Sequence, residues 1–205
     1  MPEKDFQSMK LIFATNNKHK IEELKTFIGN GFDFTSLQEA RIEIDIPEPF
    51  ETLEENASEK SKTIYKLTGD NCFAEDTGLE VYALNGEPGV KSARYAGEGR
   101  SSNDNIDLLL KKLGDNPGRK ARFRAVISII IDGKETQFEG ICEGEISSFK
   151  KGTEGFGYDP IFVPEGSHLS FGEMSISEKN KYNHRAKAAA KLVAFLQTLK
   201  TNSTN

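Results

Sequence analysis

Two acidic segments carry side chains that could bind a divalent cation. In Phe73-Ala74-Glu75-Asp76-Thr77-Gly78-Leu79, two carboxylates follow an apolar run that predicts a strand. Ligands of α/β proteins bind at the carboxyl ends of strands, and alternation points Glu75 and Asp76 to opposite sides. The loop Pro47-Glu48-Pro49-Phe50-Glu51 offers a further oxygen ligand. Since Mg²⁺ takes one or two carboxylates and completes its shell with water and phosphates, these segments predict a magnesium site. The alternative is an acidic turn without a metal.

A candidate phosphate-binding turn lies near the start of the chain. Thr15-Asn16-Asn17-Lys18-His19-Lys20 follows an apolar strand and precedes a helical pattern. A strand-to-helix turn presents free backbone N–H groups and the positive end of the helix dipole, which together suit a phosphate, and Lys18 and Lys20 add positive charge. The alternative is that Asn17 caps the helix while both lysines are solvated.

Two later segments could contact a nucleobase. Gly155-Phe156-Gly157-Tyr158-Asp159-Pro160 places two aromatic residues among glycines, which permit close backbone approach, and an exposed Phe can stack on a base. The alternative is a tight turn with both rings in the core. Asn183-His184-Arg185 puts a good N-cap before two potential cations. Cations at a helix N-terminus are unfavourable by about 0.3–1 kcal/mol, which indicates an anionic or hydrogen-bond-accepting partner or, alternatively, solvated side chains.

Composition and absent motifs exclude several classes of protein. The net charge of −5 and pI of about 5.4 argue against a broad nucleic-acid surface, so no nucleic-acid polymer is expected as a partner. The longest apolar stretch, residues 125–131, is far shorter than the about 20 residues of a membrane helix, so no membrane partner is expected. Residues 1–9 lack the apolar core of a signal peptide, and Cys72 and Cys142 lie far apart, which favours a cytoplasmic protein. The chain contains no P-loop, dinucleotide-binding or His-Glu-x-x-His zinc motif.

The elements that must position these residues predict an α/β fold with a mixed sheet flanked by helices. The 205 residues suffice for a single domain of two lobes, with residues 1–9 and 201–205 expected to be flexible tails. Thr77-Gly78 is expected to break the third strand, Asp132-Gly133 predicts a tight hairpin, and Gly29 and Gly31 are expected to end the first helix. Strands are predicted at residues 10–15, 33–37, 72–76, 79–83, 120–132, 135–147 and 161–163, and helices after residue 17 and at about 53–67, 103–113 and 183–199.

These segments, in this order, resemble the inosine triphosphate pyrophosphatase family, also called dITP/XTP pyrophosphatases. The likeness extends from Leu11 to about Leu199. It rests on six motifs in register, which are LIFATNNKHKIEEL, DIPE followed by TLEENA and Lys60, FAEDTGLEV, GEPGVKSARYAG, GFGYDPIF, and EKN followed by NHRAKA. The resemblance implies an elongated fold of two lobes with the active site in the cleft between them, usually as a homodimer.

The same resemblance implies an activity and assigns residues to it. The activity is Mg²⁺-dependent hydrolysis of noncanonical purine nucleoside triphosphates between the α- and β-phosphates, which yields a nucleoside monophosphate and pyrophosphate. Glu48 and Asp76 correspond to metal ligands, and Asp76 also to the general base. The residues implied to contact the substrate are Thr15, Asn16, Asn17, Lys18, His19 and Lys20 in the phosphate-binding turn, Lys60 at the triphosphate, Thr77, and Phe156, Gly157, Tyr158, Asp159, Lys179, His184 and Arg185 at the base and sugar.

Two positions depart from the family pattern. Asn16 stands where the family usually has Gly, and Asn183 where it usually has Ser. Asn tolerates positive φ and is as good an N-cap as Ser, so both local structures are expected to persist. Glu51 is an alternative to Glu48 as the loop metal ligand. The alternative functions are a related pyrophosphatase that acts on other modified nucleotides and a non-catalytic nucleotide-binding protein.

Overall fold

The computed structural model describes residues 10–28 and 32–202, which form a mixed α/β fold. The strands are β1 (Leu11–Phe13), β2 (Phe34–Ser36), β3 (Cys72–Val81), β4 (Pro88–Gly89), β5 (Lys120–Ile131), β6 (Lys134–Ile146) and β7 (Phe162–Pro164). The α-helices are α1 (Lys18–Ile28), α2 (Leu53–Thr68), α3 (Ser102–Leu113), α4 (Ile176–Lys179) and α5 (His184–Asn202). Among the described residues, no helix combines the length and the apolar character that a membrane crossing needs.

One seven-stranded sheet contains all of these strands, in the order β2-β1-β3-β5-β6-β7, with β4 paired to β3. β1 runs parallel to β2 and β3, whereas β4 is antiparallel to β3 and β7 is antiparallel to β6. Asp132 and Gly133 join β5 to β6, and both have positive φ, at 49° and 83°. Positive φ at both central residues is typical of the tight hairpin turn that this dipeptide predicts. The predicted mixed α/β fold is therefore confirmed.

The chain divides into two compact units. The first comprises the described residues up to Asp76, Val126–Glu139 and the described residues from Lys187 onwards. Its core is built where β1 lies parallel to β3. The rings of Phe13 and Phe73 stack there with centroids 4.5 Å apart, and a buried cluster surrounds Ile64 of α2.

The second unit comprises Thr77–Ala125 and Gly140–Ala186. Its core takes three leucine and isoleucine positions of α3, namely Ile106, Leu109 and Leu113, as the helical period predicts. Ala121 and Phe123 of β5 point into the same core, while the intervening Arg122 is half-buried on the opposite face of the strand.

Local signals set the ends of α2. The Thr52 hydroxyl accepts a hydrogen bond from the Glu55 backbone N–H at 3.2 Å, as expected for an N-cap residue. Gly69 ends the helix with a left-handed φ of 73°, which glycine adopts without steric cost. The predicted helix at 53–67 is confirmed and is one residue longer.

Two predictions about element boundaries were wrong. β3 continues through Thr77-Gly78 without a break, because Gly78 lets another backbone approach. A Cβ atom at Gly78 would lie 2.6 Å from the carbonyl oxygen of Gly89 in β4. Thr201 and Asn202, expected in a flexible tail, instead belong to α5. The predicted stop at Gly29 and Gly31 and the predicted tails at 1–9 and 203–205 lie outside the described residues.

Candidate active site

Three charged side chains of the first unit form a cluster, called here the carboxylate–lysine cluster: Glu48, Lys60 and Asp76. Lys60 lies on α2, Asp76 lies on β3, and Glu48 comes from the loop before α2. The Lys60 ammonium donates hydrogen bonds to Glu48 Oε1 at 2.6 Å and to Asp76 Oδ1 at 2.7 Å. The sequence-predicted metal ligands and the predicted triphosphate contact are therefore neighbours.

Burial of the charged groups of this cluster costs desolvation free energy, which only pairing of the charges can offset. Only about 8% of the Lys60 side chain and 7% of the Asp76 side chain are exposed. Burial opposes the Lys60 charge, but the charges of Asp76 and Glu48 outweigh it, and the pKa of Lys60 is raised. Burial also raises the pKa of the Asp76 carboxyl, which the charges of Lys60 and Lys20 offset only in part. A carboxylate with a raised pKa is a stronger proton acceptor than an ordinary aspartate.

Glu75, the neighbour of Asp76 on β3, pairs with a different lysine. Its carboxylate Oε1 lies 3.3 Å from Lys20 Nζ of α1, and only 1% of the Glu75 side chain is exposed. Because successive residues of a strand point to opposite sides, Glu75 and Asp76 form their close ion pairs with different lysines. The Lys20–Glu75 pair was not predicted from the sequence, although the alternation of the two carboxylates was the signal available.

The turn before α1 has the geometry of a capped helix start. Asn17 Oδ1 accepts a hydrogen bond from the Lys20 backbone N–H at 3.2 Å, and Thr15 Oγ1 accepts one from the Asn17 N–H. Asn17 therefore caps α1, as the alternative interpretation held, and Asn16, Asn17, Lys18 and His19 are exposed. Lys20, which that interpretation held to be solvated, is instead paired with Glu75. Asn16 does not adopt the positive φ that its alignment with glycine suggested.

The chemistry of the carboxylate–lysine cluster suits magnesium. Among the described residues, no group of three or more His, Cys, Asp or Glu side chains is arranged to hold a metal ion. Glu48 and Asp76 nevertheless each place an oxygen within 2.7 Å of one cationic nitrogen, so both reach a common cation position. Two hard carboxylate ligands match the donor set of Mg²⁺ when water and phosphates fill the remaining positions. Glu51, the alternative ligand, is exposed.

A second group of predicted residues lies within the second unit and is called here the basic–aromatic cluster: Phe156, Lys179 and Arg185. Lys179 Nζ lies 5.1 Å from the centroid of the Phe156 ring, and Arg185 Cζ lies 5.6 Å from it. Both distances are in the cation–π range. Arg185 is 2% exposed, and its Nη2 lies 3.5 Å from Thr77 Oγ1. The structure thus brings Thr77 together with the predicted base-binding residues.

Asp159 fixes the loop that carries Phe156. Its Oδ2 accepts hydrogen bonds from the Phe156 backbone N–H at 2.8 Å and from Lys179 Nζ at 2.6 Å. Gly155 is required beside it, because its φ is 73° and an added Cβ would collide with the Asp159 carboxylate. Asp159 therefore sets the positions of both the ring and the ammonium.

His184 and Tyr158 are both buried, in different surroundings. The His184 ring stacks on Phe123 of β5 with centroids 4.7 Å apart and an interplanar angle of 11°. Phe123 was missed in the sequence because nothing in an alternating strand marks one core residue as the neighbour of a site residue. Tyr158 lies in the hydrophobic core, where its hydroxyl donates to the Ser92 carbonyl at 3.0 Å, as the alternative interpretation of this turn held for both rings, whereas Phe156 is only half-buried. Gly157 has a φ of 62° and open space around it.

The N-cap of α5 is intact with asparagine. Asn183 Oδ1 accepts a hydrogen bond from the Ala186 backbone N–H at 2.6 Å. The helix start that presents His184 and Arg185 therefore persists with asparagine as the N-cap, as expected from the sequence.

Comparisons with known proteins agree with one another. The model of the Ham1 family matches residues 11–195. The chain is 47% identical over 192 residues to the dITP/XTP pyrophosphatase of Flavobacterium johnsoniae, covering 94% of this chain and 100% of the relative. It is 49% identical over 188 residues to the protein of the same name from Porphyromonas gingivalis, covering 91% and 97%. The structure of the Staphylococcus aureus Ham1 protein matches with a TM-score of 0.84 at 40% identity, covering 92% of this chain and 98% of that one. A HAM1 protein from Coxiella burnetii matches with a TM-score of 0.85 at 33% identity, covering 93% and 99%.

Proposed function

Because this chain belongs to the Ham1 family and its curated relatives include dITP/XTP pyrophosphatases, we propose that it hydrolyses noncanonical purine nucleoside triphosphates to nucleoside monophosphates and pyrophosphate. The family relationship predicted from the sequence is confirmed. The substrates proposed for this enzyme are ITP, dITP and XTP. The observation that carries the proposal is the buried carboxylate–lysine cluster, since Glu48, Lys60 and Asp76 combine metal-binding oxygens with a phosphate-binding ammonium.

Hydrolysis of a phosphoanhydride requires mainly positioning and charge neutralisation. Lys20 and Lys60 supply two ammonium groups for the polyphosphate, and Lys18 adds an exposed cation at the turn before α1. Glu48 and Asp76 would hold Mg²⁺. When bound there, Mg²⁺ neutralises phosphate oxygens and lowers the pKa of a coordinated water.

Asp76 is the proton acceptor in this proposal. Its carboxylate is buried, and burial raises its pKa above the usual range of an aspartate. It therefore takes a proton from the attacking water more readily than a solvated carboxylate would. Glu75 pairs with Lys20 at 3.3 Å, whereas the Asp76 carboxylate lies in the carboxylate–lysine cluster, 2.7 Å from Lys60 Nζ.

The basic–aromatic cluster selects the base. Arg185 and Lys179 have only hydrogen-bond donors, and hypoxanthine and xanthine carry an acceptor oxygen at the position where adenine carries an amino group. Phe156 offers an aromatic surface for stacking, fixed by the hydrogen bond from its backbone N–H to Asp159. A donor-only site accepts the 6-oxo purines and disfavours adenine.

The cofactor, assembly and compartment belong to the same proposal. Mg²⁺ is the cofactor, a purine nucleoside triphosphate is the small-molecule partner, and the enzyme is a cytoplasmic homodimer. The family resemblance supports the dimer, and multi-angle light scattering tests it. Neither Cys72 nor Cys142 forms a disulfide, and the two are buried in separate hydrophobic clusters, as suits a reducing compartment.

Pyrophosphate release with Mg²⁺ across ITP, dITP, XTP, GTP, ATP and dUTP tests the activity. We expect fast release from ITP, dITP and XTP and slow release from ATP. Preference for dUTP would favour a pyrophosphatase for other modified nucleotides. Tight nucleotide binding without release would favour a non-catalytic binding protein.

A further inference from the structure

The Lys60 ammonium is fully satisfied by the groups around it. It donates to Glu48 Oε1 at 2.6 Å, to Asp76 Oδ1 at 2.7 Å and to the backbone carbonyl of Glu75 at 3.1 Å. An ammonium has three donors, and three acceptors meet them here. Lys60 is therefore bound in the manner of a cationic ligand between two carboxylates.

The same two carboxylates are the proposed magnesium ligands. A dication and an ammonium would repel each other strongly in a buried site, where the effective dielectric constant is far below that of water. Glu48 and Asp76 therefore cannot keep both the 2.6 Å and 2.7 Å contacts to Lys60 and a metal ion at full strength. The side chain of lysine has a flexible four-carbon stem, which allows its charge to move between partners.

We propose that Lys60 is the internal counter-ion of the magnesium site, an inference that rests on the proposed function. In the nucleotide-free protein it holds Glu48 and Asp76, and it leaves them for the polyphosphate when the metal binds. Metal and triphosphate then favour each other, because the triphosphate stabilises the released ammonium and the metal stabilises the released carboxylates. The coupling is reciprocal, as linkage requires.

Two features of the cluster support this exchange. The Lys60 ammonium lies between the two carboxylates, 2.6 Å from Glu48 Oε1 and 2.7 Å from Asp76 Oδ1, where a cation bound by both would lie. Glu48 is also the less enclosed partner, with 24% of its side chain exposed against 7% for Asp76. It lies in a loop without regular structure, so its carboxylate can adjust when the cation between the two ligands changes.

Direct metal titration of the nucleotide-free, full-length protein tests the proposal. Mn²⁺ alone is the probe, and free Mn²⁺ is measured by electron paramagnetic resonance. Lys60→Gln is expected to bind Mn²⁺ about tenfold or more tightly than the wild type, the low end of what removing one buried unit charge gives. Lys62→Gln is the matched control, since Lys62 lies on the same helix but pairs with Glu135 at 3.0 Å. Its affinity is expected to match that of the wild type.

The Lys60→Gln/Glu48→Gln double variant locates the added affinity. The gain should disappear in it, because the metal loses one carboxylate ligand. Equal Mn²⁺ affinities of the wild type and Lys60→Gln overturn the proposal. A gain that survives in the double variant overturns it as well, since the metal would then bind elsewhere.

A measurement on the wild type keeps the proposal testable if Lys60→Gln does not fold. Reductive methylation followed by peptide mass spectrometry reports the accessibility of each amine. Saturating Mg²⁺ should accelerate the modification of Lys60 several-fold and leave that of Lys62 unchanged. An unchanged rate at Lys60 overturns the exchange. Pyrophosphate release by the wild type is read separately, so its absence would refute the proposed function while the Mn²⁺ titration still reports on Lys60.

Discussion

Replacement of Arg185 by alanine is the sharpest test of base selection. Arg185 is 2% exposed, its Nη2 lies 3.5 Å from Thr77 Oγ1, and its guanidinium lies over the Phe156 ring. A buried guanidinium cannot lose its proton and can only donate hydrogen bonds. A 6-oxo purine therefore satisfies it, whereas adenine leaves one donor facing another.

The size of the effect follows from the cost of that mismatch. An unpaired buried polar group costs about 1–3 kcal/mol, and more when it is charged. At about 1.4 kcal/mol per factor of ten, this corresponds to roughly 5- to 150-fold in discrimination for one donor. Arg185→Ala removes the donor that adenine cannot satisfy. We therefore expect the ratio of kcat/KM for ITP to that for ATP to fall by about 10- to 100-fold, because ITP loses a hydrogen bond and ATP no longer leaves a buried donor unsatisfied.

Pyrophosphate release gives kcat/KM for ITP and ATP in the wild type, in Arg185→Ala and in a control. Arg122→Ala is the control, because Arg122 pairs with Glu80 at 2.7 Å on the opposite face of β5 from Phe123. Its selectivity should be that of the wild type. A lowered kcat/KM for ITP in Arg185→Ala with an unchanged ITP-to-ATP ratio would refute the reasoning and show that Arg185 binds a group other than the base.

Further predictions concern Asp76, the Lys20–Glu75 ion pair, Tyr158 and Cys72. Asp76→Asn should lower kcat at saturating Mg²⁺ by at least about 100-fold, the loss expected for a general base, while circular dichroism still shows cooperative thermal unfolding. Glu75→Gln should lower the free energy of unfolding by about 3 kcal/mol, because it removes the carboxylate charge from a buried ion pair with Lys20. Lys25→Gln, which breaks the exposed pair with Glu39, should lower it by less than about 1 kcal/mol, and urea titration measures both. Tyr158→Phe should cost about 1 kcal/mol of stability by losing the hydrogen bond to Ser92 and leave KM for ITP unchanged, whereas a raised KM would assign the hydroxyl to the substrate. Burial raises the pKa of the Cys72 thiol to about 12, so a disulfide reagent at pH 8 should modify Cys72 only after denaturation.

Local signals made much of the fold predictable. A capping residue at Thr52 and a glycine at 69 bound α2, and Asp132-Gly133 forms the β5–β6 hairpin as its dipeptide predicts. These features depend on a few residues that are adjacent in the chain, so a single sequence is enough to predict them. Gly78 was misread because a glycine in a strand can mark either a break or the close approach of another backbone, and only the position of Gly89 distinguishes the two.

The candidate site was predictable in its residues and not in its pairings. Motifs identified Glu48, Lys60 and Asp76 together, yet their ion pairs join a loop, a helix and a strand that no sequence period relates. The stacking of Phe123 on His184 is of the same kind, since both residues are ordinary at the level of local pattern. Long-range contacts of this type follow from tertiary packing, which overrides local preference.

Two consecutive carboxylates of β3 form ion pairs with different lysines. Glu75 Oε1 lies 3.3 Å from Lys20 Nζ, and Asp76 Oδ1 lies 2.7 Å from Lys60 Nζ. In an extended strand each residue advances by about 3.3 Å and reverses the side to which it points, so the strand sets both the spacing and the direction of the two contacts. A slip of one residue would exchange the sides of Glu75 and Asp76 and offer each carboxylate to the wrong lysine. The regular extended backbone of β3 at Glu75 and Asp76 is therefore a requirement of this charge arrangement.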